Sequence, residues 1–297
     1  MEGSRDADPS RVRVSVVVPT LNEGANVGTV LTALPTLVDE VVVVDGGSTD
    51  ETLDVVRRVR PETRIVVDRR RGKGRALRTG FEKSTGDIIV IIDADGSMDP
   101  TEMPAMIAVL VSGADVVKGS RFLQGAGTDD MSLLRRVGNN SLRLLVRSLF
   151  GGRYSDLCYG YMAFWRHVLP AFEGDADGFE VETFMNVRAL AAGLRVAEVP
   201  SFERDRMSGE SNLNTFRDGW RVLLTIARER RHVSRAKWGQ GVPRPIPVVA
   251  EVAIDPRDFV ESTQVIDLTQ GAMAQRRASS VNSAEKSALT SSDLSLR

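Results

Sequence analysis

Four short apolar runs constrain the fold of this chain more than any other feature. They are VRVSVVV (12–18), EVVVVD (40–45), RIVVD (64–68) and DIIVIID (87–93). Runs of this length that are almost fully apolar and rich in β-branched residues are typical of parallel strands. We therefore expect strands that are covered by helices on both faces of a sheet.

The segments between these runs have helical patterns. Residues 24–34 connect the first two runs, and residues 73–84 lead to the fourth. TDETLDVVRRV (49–59) opens with N-cap residues and has acids in its first turn. The alternation predicts an α/β fold with a Rossmann-like, mostly parallel sheet flanked by helices. Ligands of such sheets bind outside the carboxyl ends of the strands.

The α/β pattern continues beyond residue 100. We expect helices over 101–112, 131–150 and 180–193, and strands near 114–122 and 195–199. A last helix over 213–231 carries six apolar residues on one face, namely Leu213, Phe216, Trp220, Leu223, Leu224 and Ala227.

Composition divides the chain into three parts. Residues 1–11 are polar and form a flexible N-terminus, and residues 12–231 form one α/β domain. Residues 232–297 are rich in Pro and polar residues at first and then in Ser, Thr, Ala and Gln. Such a composition predicts a disordered tail.

Charge and cysteine content narrow the classes of function. The formal net charge is −1, so no global basic field would attract nucleic acid. Cys158 is the single cysteine, which excludes an intrachain disulfide and fits a reducing cytoplasm. We interpret it as a small buried residue rather than a nucleophile. No signal peptide is recognisable, and no apolar run approaches the ~18–20 residues that span a bilayer.

The segment DADGSMDP (93–100) places two carboxylates one residue apart, directly after the fourth apolar run. In an extended segment Asp93 and Asp95 share a face. Their hard oxygens suit Mg²⁺ or Mn²⁺, and such ions commonly bridge carboxylates to a substrate's phosphates. The alternative is an acidic turn that caps the next helix. For Asp99, which precedes Pro100, we favour that alternative.

Three other polar clusters accompany the predicted strand ends. VPTLNE puts Pro19, Asn22 and Glu23 after the first run, and VVDGGSTD puts Asp45 after the second. RRRGKGRALRTG (69–80) sets cations around two glycines where a helix begins, a combination that favours anions. Each cluster alone is typical of a turn, a cap or a solvated charge run. Their order and spacing together are what is specific.

These motifs resemble those of the family 2 glycosyltransferases, which have the GT-A fold. PTLNE, VDGGSTD, GKGRALRTG, DADGSMDP and KGSRF occur in the family's order, and the resemblance covers roughly residues 12–225. DLCYGYMAFWR (156–166) and RMSGESNL (206–213) are similar to segments of the dolichyl- and polyprenyl-phosphate sugar synthases.

The resemblance implies a site for a nucleoside diphosphate sugar, either a GDP- or a UDP-sugar, with Mg²⁺ or Mn²⁺ as cofactor. Asp95 would be the main metal ligand, and Asp93 would lie near both the ribose and the metal. The residues implied in nucleotide-sugar binding are Pro19, Asn22, Glu23, Asp45, Lys73, Asp93 and Ser211.

The resemblance also implies which residues take part in an inverting transfer of a hexose. Besides Asp95, they are Arg121 and Arg206, which would face the donor diphosphate or the acceptor phosphate. Glu182 would lie in the acceptor pocket. A phosphate acceptor needs no general base, whereas a hydroxyl acceptor needs one, and Glu182 is then the candidate.

The chain departs from this branch at two places. Gly46 stands where a second acid is common beside Asp45. Gly96 and Ser97 stand where a leucine and a glutamine commonly follow the acidic pair. If that glutamine helps to bind the metal in relatives, Ser97 or water must replace it here.

A polyprenyl phosphate is the acceptor that this branch implies, so we expect a cytoplasmic protein at the inner face of the cell membrane. The amphipathic segment 131–150 and the basic stretch 228–237 would then rest on an anionic bilayer. Alternatively, the leucines of 131–150 pack on the core and the basic stretch is solvated.

Three other functions stay open. One is a transferase that acts on a hydroxyl of a small molecule or glycan. Another is a nucleotidyltransferase, although these enzymes typically place a Gly-rich signature where this chain has PTLNE. The third is a non-catalytic protein that binds sugar nucleotides.

Overall fold

The computed structural model describes residues 11–70, 72–129, 131–209, 215–235 and 266–267. The strands are β1 (Val14–Thr20), β2 (Glu40–Asp45), β3 (Arg64–Val67), β4 (Ile88–Ile91), β5 (Val116–Ser120), β6 (Gly127–Thr128), β7 (Met162–Trp165), β8 (Val196–Pro200), β9 (Phe202–Glu203) and β10 (Ile266–Asp267). The α-helices are α1 (Val27–Ala33), α2 (Thr52–Val59), α3 (Lys73–Lys83), α4 (Met103–Val111), α5 (Leu133–Phe150), α6 (Val181–Ala191) and α7 (Thr215–Arg235). Two 3-10 helices span Pro100–Glu102 and Arg166–Phe172.

Eight of the strands form one sheet in the order β10-β8-β5-β7-β4-β1-β2-β3, and β6 pairs separately with β9. Strands β1 to β4 are parallel to their neighbours among themselves, and β5 is parallel to β8. Strand β7 runs antiparallel to both β4 and β5 and so joins the two parallel parts. The predicted α/β fold with a mostly parallel sheet is confirmed.

The sheet lies between two apolar layers because side chains alternate between its two faces. One layer joins Val17 and Ile89 to α3, α5, α6 and α7, and the other joins Val16 and Val90 to α1, α2 and α4. Burial on both faces, predicted for all four apolar runs, is wrong for β3. This strand is the last in the sheet, and it leaves Val67 exposed.

The apolar face that the sequence assigns to the last helix is not the face that packs on the core. Trp220, Leu223 and Leu224 are exposed, whereas Val222 and Ile226 are buried. Two acids of α7, Asp218 and Glu229, also lie on the buried side, and Glu229 pairs with Arg188 of α6 at 2.5 Å. Buried ion pairs, which a hydrophobicity pattern does not represent, therefore decide the orientation of this helix. Leu213 and the side chain of Phe216 lie outside the described part of the chain.

The expectations for the two ends of the chain fall mostly outside the described residues. Residues 1–10, 236–265 and 268–297 are not described. Helix α7 continues four residues beyond the predicted domain end, to Arg235, and Ile266–Asp267 pairs with the outer edge of β8. Among the helices that the structure describes, none combines the length and the apolar character needed to cross a bilayer.

The start of α3 makes a close backbone contact that depends on glycine. Gly72 has φ = 124°, and a Cβ on it would lie 2.1 Å from the carbonyl oxygen of Asp177. A Cβ on Gly74 would lie 2.0 Å from the carbonyl oxygen of Ala176. The amide of Gly74 donates a hydrogen bond to the Asp177 carbonyl at 2.8 Å. The two glycines therefore let α3 begin directly against segment 176–177.

We predict that Gly74→Ala lowers the free energy of unfolding by about 2 kcal/mol, because the new methyl group meets backbone that cannot move aside cheaply. Gly138→Ala in α5 is the matched control, since a Cβ there meets nothing within 4 Å. The free energy of unfolding of this control should rise by up to about 1 kcal/mol, because alanine has a higher helix propensity than glycine. Urea unfolding of both variants measures the difference, and equal effects would contradict the contact.

A partly buried carboxylate, that of Glu102, holds the segment that follows β8. Glu102 accepts hydrogen bonds from the hydroxyl of Ser201 and from the amide of Phe202, the latter at 2.9 Å. Burial raises the pKa of Glu102 to about 7, and Asp99 adds to the effect, while the two hydrogen bonds and Arg204 oppose it. Glu102 thereby holds the start of segment 201–209, which carries Arg206, against the loop after β4.

This raised pKa predicts a pH dependence of stability. Because the folded pKa of about 7 exceeds the ordinary 4.5, the folded state binds more protons than the unfolded state in that window. Stability contributed by Glu102 is therefore lost as pH rises from about 4.5 to about 7. We predict that the melting temperature of the wild type falls relative to that of Glu102→Gln across this window. Glu62→Gln, at an exposed side chain, is the control, and a Glu102→Gln profile parallel to the wild type would contradict the assignment.

Candidate active site

The predicted site residues meet because their strands are neighbours. Strand β1 pairs with β2 on one side and with β4 on the other, all three parallel. Their carboxyl ends therefore lie side by side. The loop after β1 carries Asn22 and Glu23, β2 ends at Asp45, and the loop after β4 carries Asp93 and Asp95. Five polar side chains thus converge at one edge of an apolar sheet.

Asn22 and Asp45 shape the two loops through internal hydrogen bonds. Asn22 has φ = 55°, the one positive value at a non-glycine position in the described residues. Its backbone amide donates a hydrogen bond to the Ser48 hydroxyl at 2.8 Å, and its side-chain oxygen accepts one from the Thr49 amide at 2.8 Å. Asp45 accepts from the amides of Gly47 and Ser48, both at 2.9 Å. The loops after β1 and β2 are therefore joined into one unit, of which Pro19 at the end of β1 forms part.

Arg206 links the loop after β1 to the acidic pair. Its guanidinium donates to the carboxylate of Glu23, and its Nε donates to the carbonyl of Ser208 at 2.9 Å. Nη1 lies 3.7 Å from Oδ2 of Asp95. The Asn26 side chain donates to the same Ser208 carbonyl at 3.1 Å. Segment 204–209 thus lies against both loops and brings a cation to Asp95.

Ser97 orients the carboxylate of Asp95. The amide and hydroxyl of Ser97 both donate to Oδ1 of Asp95, at 3.0 and 2.8 Å. Gly96 has φ = 80°, and a Cβ on it would lie 2.5 Å from the sulfur of Met207. Ser97 therefore fixes the carboxylate of Asp95, and Gly96 leaves room for segment 204–209. The other carboxylate oxygen of Asp95, Oδ2, faces Arg206.

Lys73 joins Asp93 to Glu182. Its Nζ lies 2.7 Å from Oδ2 of Asp93 and 2.7 Å from Oε1 of Glu182, and the lysine side chain is almost fully buried. Burial lowers the pKa of Lys73, but the two carboxylates outweigh it and hold the pKa well above its ordinary value. Burial raises the pKa of Glu182 despite the attraction of Lys73. Gly160 lies so close to this pair that a Cβ on it would be 2.7 Å from Glu182 Oε1.

Arg121 is held by two acids and an aromatic ring. Its guanidinium pairs with Asp156 at 2.7 and 2.9 Å and with Glu203 at 3.0 Å, and it stacks on the ring of Tyr159. None of its described contacts is with the acidic pair. Asp156 and Glu203 are site neighbours that the sequence reasoning missed. The first lies in the DLCYGYMAFWR segment that carried the resemblance, whereas nothing marked the second.

Cys158 and Asp99 are two further residues for which the sequence predicts a structural role. Cys158, which the sequence predicts to be buried, is partly rather than fully buried. Its local environment still raises the pKa of the thiol to about 12, mainly through desolvation, so the thiolate is not available near neutral pH. Asp99 caps the helix that starts at Pro100, as predicted, because its carboxylate accepts from the Thr101 amide at 2.9 Å. Ser211 lies outside the described residues.

The donor set at Asp95 fits a divalent ion that completes its coordination with a substrate. Within the described part of the chain, no three acidic, histidine or cysteine side chains converge into a metal cage. Mg²⁺ is usually bound by one or two carboxylates together with substrate phosphates, and the loop after β4 offers two, those of Asp93 and Asp95. Asp95 and Asp93 are therefore the residues that fit such an ion, with Lys73 and Arg206 as the nearest cations.

Comparison with known proteins agrees with this geometry. The family described as Glycosyl transferase family 2 matches residues 15–171. Glycosyltransferase AglJ of Haloferax volcanii is 31% identical over 75% of this chain and 74% of its own length. Polyprenol monophosphomannose synthase of Mycolicibacterium smegmatis is 31% identical over 70% of this chain and 84% of its own length.

A solved structure matches as well. Glucosyl-3-phosphoglycerate synthase from Mycobacterium tuberculosis, in complex with Mn²⁺, UDP and phosphoglyceric acid, is 26% identical with a TM-score of 0.58. The match covers 74% of this chain and 78% of that one. The expected GT-A fold is confirmed, and the resemblance to the polyprenyl-phosphate sugar synthases extends over most of the chain. This chain belongs to the family 2 glycosyltransferases.

Proposed function

We propose that this glycosyltransferase moves a hexose from a GDP- or UDP-sugar to a polyprenyl phosphate, with inversion at the anomeric carbon. The observation that carries the proposal is the pairing of acids with cations at the carboxyl edge of the sheet. Asp95 faces Arg206, and Asp93 faces Lys73. Such an edge offers both ligands for a divalent ion and positive charge for a diphosphate. The polyprenol monophosphomannose synthase among the relatives supports the acceptor.

The main requirement of this reaction is to neutralise the negative charge that builds up on the leaving diphosphate. Asp95 and Asp93 would hold a Mg²⁺ or Mn²⁺ ion, which when bound supplies Lewis-acid neutralisation of that charge. Arg206 adds a guanidinium, whose planar donors suit phosphate oxygens. Asn22, Asp45 and the joined loops after β1 and β2 would position the nucleoside. Preorganised positive charge of this kind stabilises the leaving group as its bond to the anomeric carbon breaks.

The environment of Glu182 favours a phosphate acceptor. Its side chain is only 13% exposed and binds Lys73 at 2.7 Å, so it neutralises a cation within the protein. An acceptor phosphate is already ionised near neutral pH and attacks the anomeric carbon without a base. We further propose that the protein works in the cytoplasm at the inner face of the cell membrane, where a lipid-linked acceptor would be within reach.

A hydroxyl acceptor is the second candidate. It is favoured by one observation, the raised pKa of Glu182 beside the site, because a general base works best with a pKa near the operating pH. In that case Glu182 would take the acceptor proton after Lys73 shifts toward Asp93.

We predict that Asp95→Asn lowers the rate of sugar transfer by about 100-fold or more, since it removes the charge that holds the ion and its diphosphate. Asp99→Asn is the matched control in the same motif, because Asp99 caps a helix. Transfer from radiolabelled UDP-, GDP- and dTDP-sugars with Mn²⁺ or Mg²⁺ measures activity. Thermal shifts with the same panel measure binding and select the donor. Equal activity of the two variants would contradict the metal-site assignment.

We predict that Glu182→Gln changes the transfer rate to a polyprenyl phosphate by less than about 10-fold, because no proton must be removed from that acceptor. Lys73 keeps Asp93 as its partner in this variant. A loss of about 100-fold or more, with a normal thermal shift by the donor, would instead favour a hydroxyl acceptor. A screen of polyprenyl phosphates against hydroxyl-bearing acceptors with the wild type provides the independent check.

A further inference from the structure

We propose that the outer faces of α5 and α7 form a surface that docks on an anionic lipid bilayer. The α5–α7 surface consists of Leu133, Leu134, Val137, Leu144, Trp220, Leu223 and Leu224, together with those arginines of the two helices whose side chains the structure describes. This inference rests on the proposed function, because the bilayer would hold the lipid-linked acceptor.

The apolar part of this surface is concentrated on two helices that touch. Twelve large apolar side chains are exposed in the described residues, and seven of them lie on α5 and α7. Leu133 is 81% exposed and Trp220 is 62% exposed. The remaining five are scattered over other elements, as single apolar side chains commonly are on soluble proteins. A concentration of this kind marks an interaction surface.

The charge of the surface selects the partner. Helix α5 contains four arginines and no acid. Helix α7 contains six arginines and two acids, and both acids are turned inward, with Asp218 at 3% and Glu229 at 1% exposure. The whole chain is nearly neutral, so this excess of positive charge is local. Arginines around an apolar stripe with Trp and Leu are the pattern of a helix that lies in an anionic membrane interface.

The same charges argue against a second copy of this chain as the occupant. In a two-fold dimer the same patch faces itself. Arginines such as Arg143 and Arg147 would then meet arginines, since both acids of α7 are buried and already paired within each copy. Like charges brought together at an interface cost several kcal/mol. Anionic headgroups, in contrast, satisfy the arginines while the acyl boundary takes the apolar side chains.

The position of the surface suits a lipid-linked acceptor. Asn139 of α5 is buried, and its side-chain oxygen accepts from the amides of Leu157 and Cys158. That segment leads to Gly160, which lies against the Lys73–Glu182 pair. Helix α7 packs on α6, whose first turn carries Glu182. Both helices of the surface are therefore one contact away from the proposed acceptor pocket.

The test is co-sedimentation of the full chain with vesicles of phosphatidylcholine alone or mixed with phosphatidylglycerol, at low and at high salt. No nucleotide sugar or polyprenyl phosphate is present, so the result does not depend on the transfer reaction. We expect binding to the mixed vesicles that weakens with salt. Trp220→Ser with Leu224→Ser should lower the bound-to-free ratio by about 10-fold or more, because two apolar side chains no longer enter the bilayer.

The matched control is Val59→Ser with Val67→Ser, which removes two exposed apolar side chains from other elements and should leave binding unchanged. Failure of the wild type to bind mixed vesicles at low salt would overturn the proposal. Equal effects of the two double variants would overturn it too, as would a dimer, seen by sedimentation equilibrium, that Trp220→Ser with Leu224→Ser dissociates. If Trp220→Ser with Leu224→Ser loses vesicle binding, the result supports the α5–α7 surface. If the same variant still transfers sugar to a short-chain, water-soluble polyprenyl phosphate, that result separately supports the proposed function.

Discussion

The buried ion triad of Asp93, Lys73 and Glu182 is the interaction on which the rest of the site depends. Strand β4 is fully apolar and ends directly before two carboxylates, an arrangement that is unfavourable without a nearby cation. Lys73 supplies that cation from the start of α3, at 2.7 Å from both partners. Removing one member of such a buried pair typically costs about 3–5 kcal/mol, because the other charge is left without a partner.

Several glycines serve this one contact. Gly72 and Gly74 let α3 begin against segment 176–177, and Gly160 leaves room for Lys73 to reach Glu182. The two cations of the site, Lys73 and Arg206, therefore differ in how firmly they are held. The side chain of Lys73 is 9% exposed and held from two sides, whereas that of Arg206 is 20% exposed and lies on a segment without helix or strand structure. Arg206 is thus the cation that can exchange a carboxylate for a phosphate at low cost.

The strands, the polar clusters at their ends and the cap at Asp99 could be predicted from the sequence, because they depend on local pattern. The antiparallel direction of β7, the buried face of α7 and the partners of Arg121 could not. Each depends on contacts between residues far apart in the chain, such as Arg188 with Glu229 and Arg121 with Asp156. In α7, the apolar residues that a helical pattern assigns to a core lie outside. Where pairing of buried charges competes with apolar burial, a pattern of hydrophobicity alone therefore gives the wrong face.

Gly96 and Ser97 pack against a segment that lies far from them in the chain. A larger residue at Gly96 would strike the sulfur of Met207, and its φ of 80° disfavours a side chain in any case. Ser97 fills the space beside Asp95 with a hydroxyl that holds one carboxylate oxygen at 2.8 Å. Because the amide of Met207 also donates to the Asp95 carbonyl, the loop after β4 and segment 204–209 pack as one unit. Gly96 leaves the space that Met207 occupies, and Ser97 holds the carboxylate beside it, so the packing of the two segments depends on all three residues.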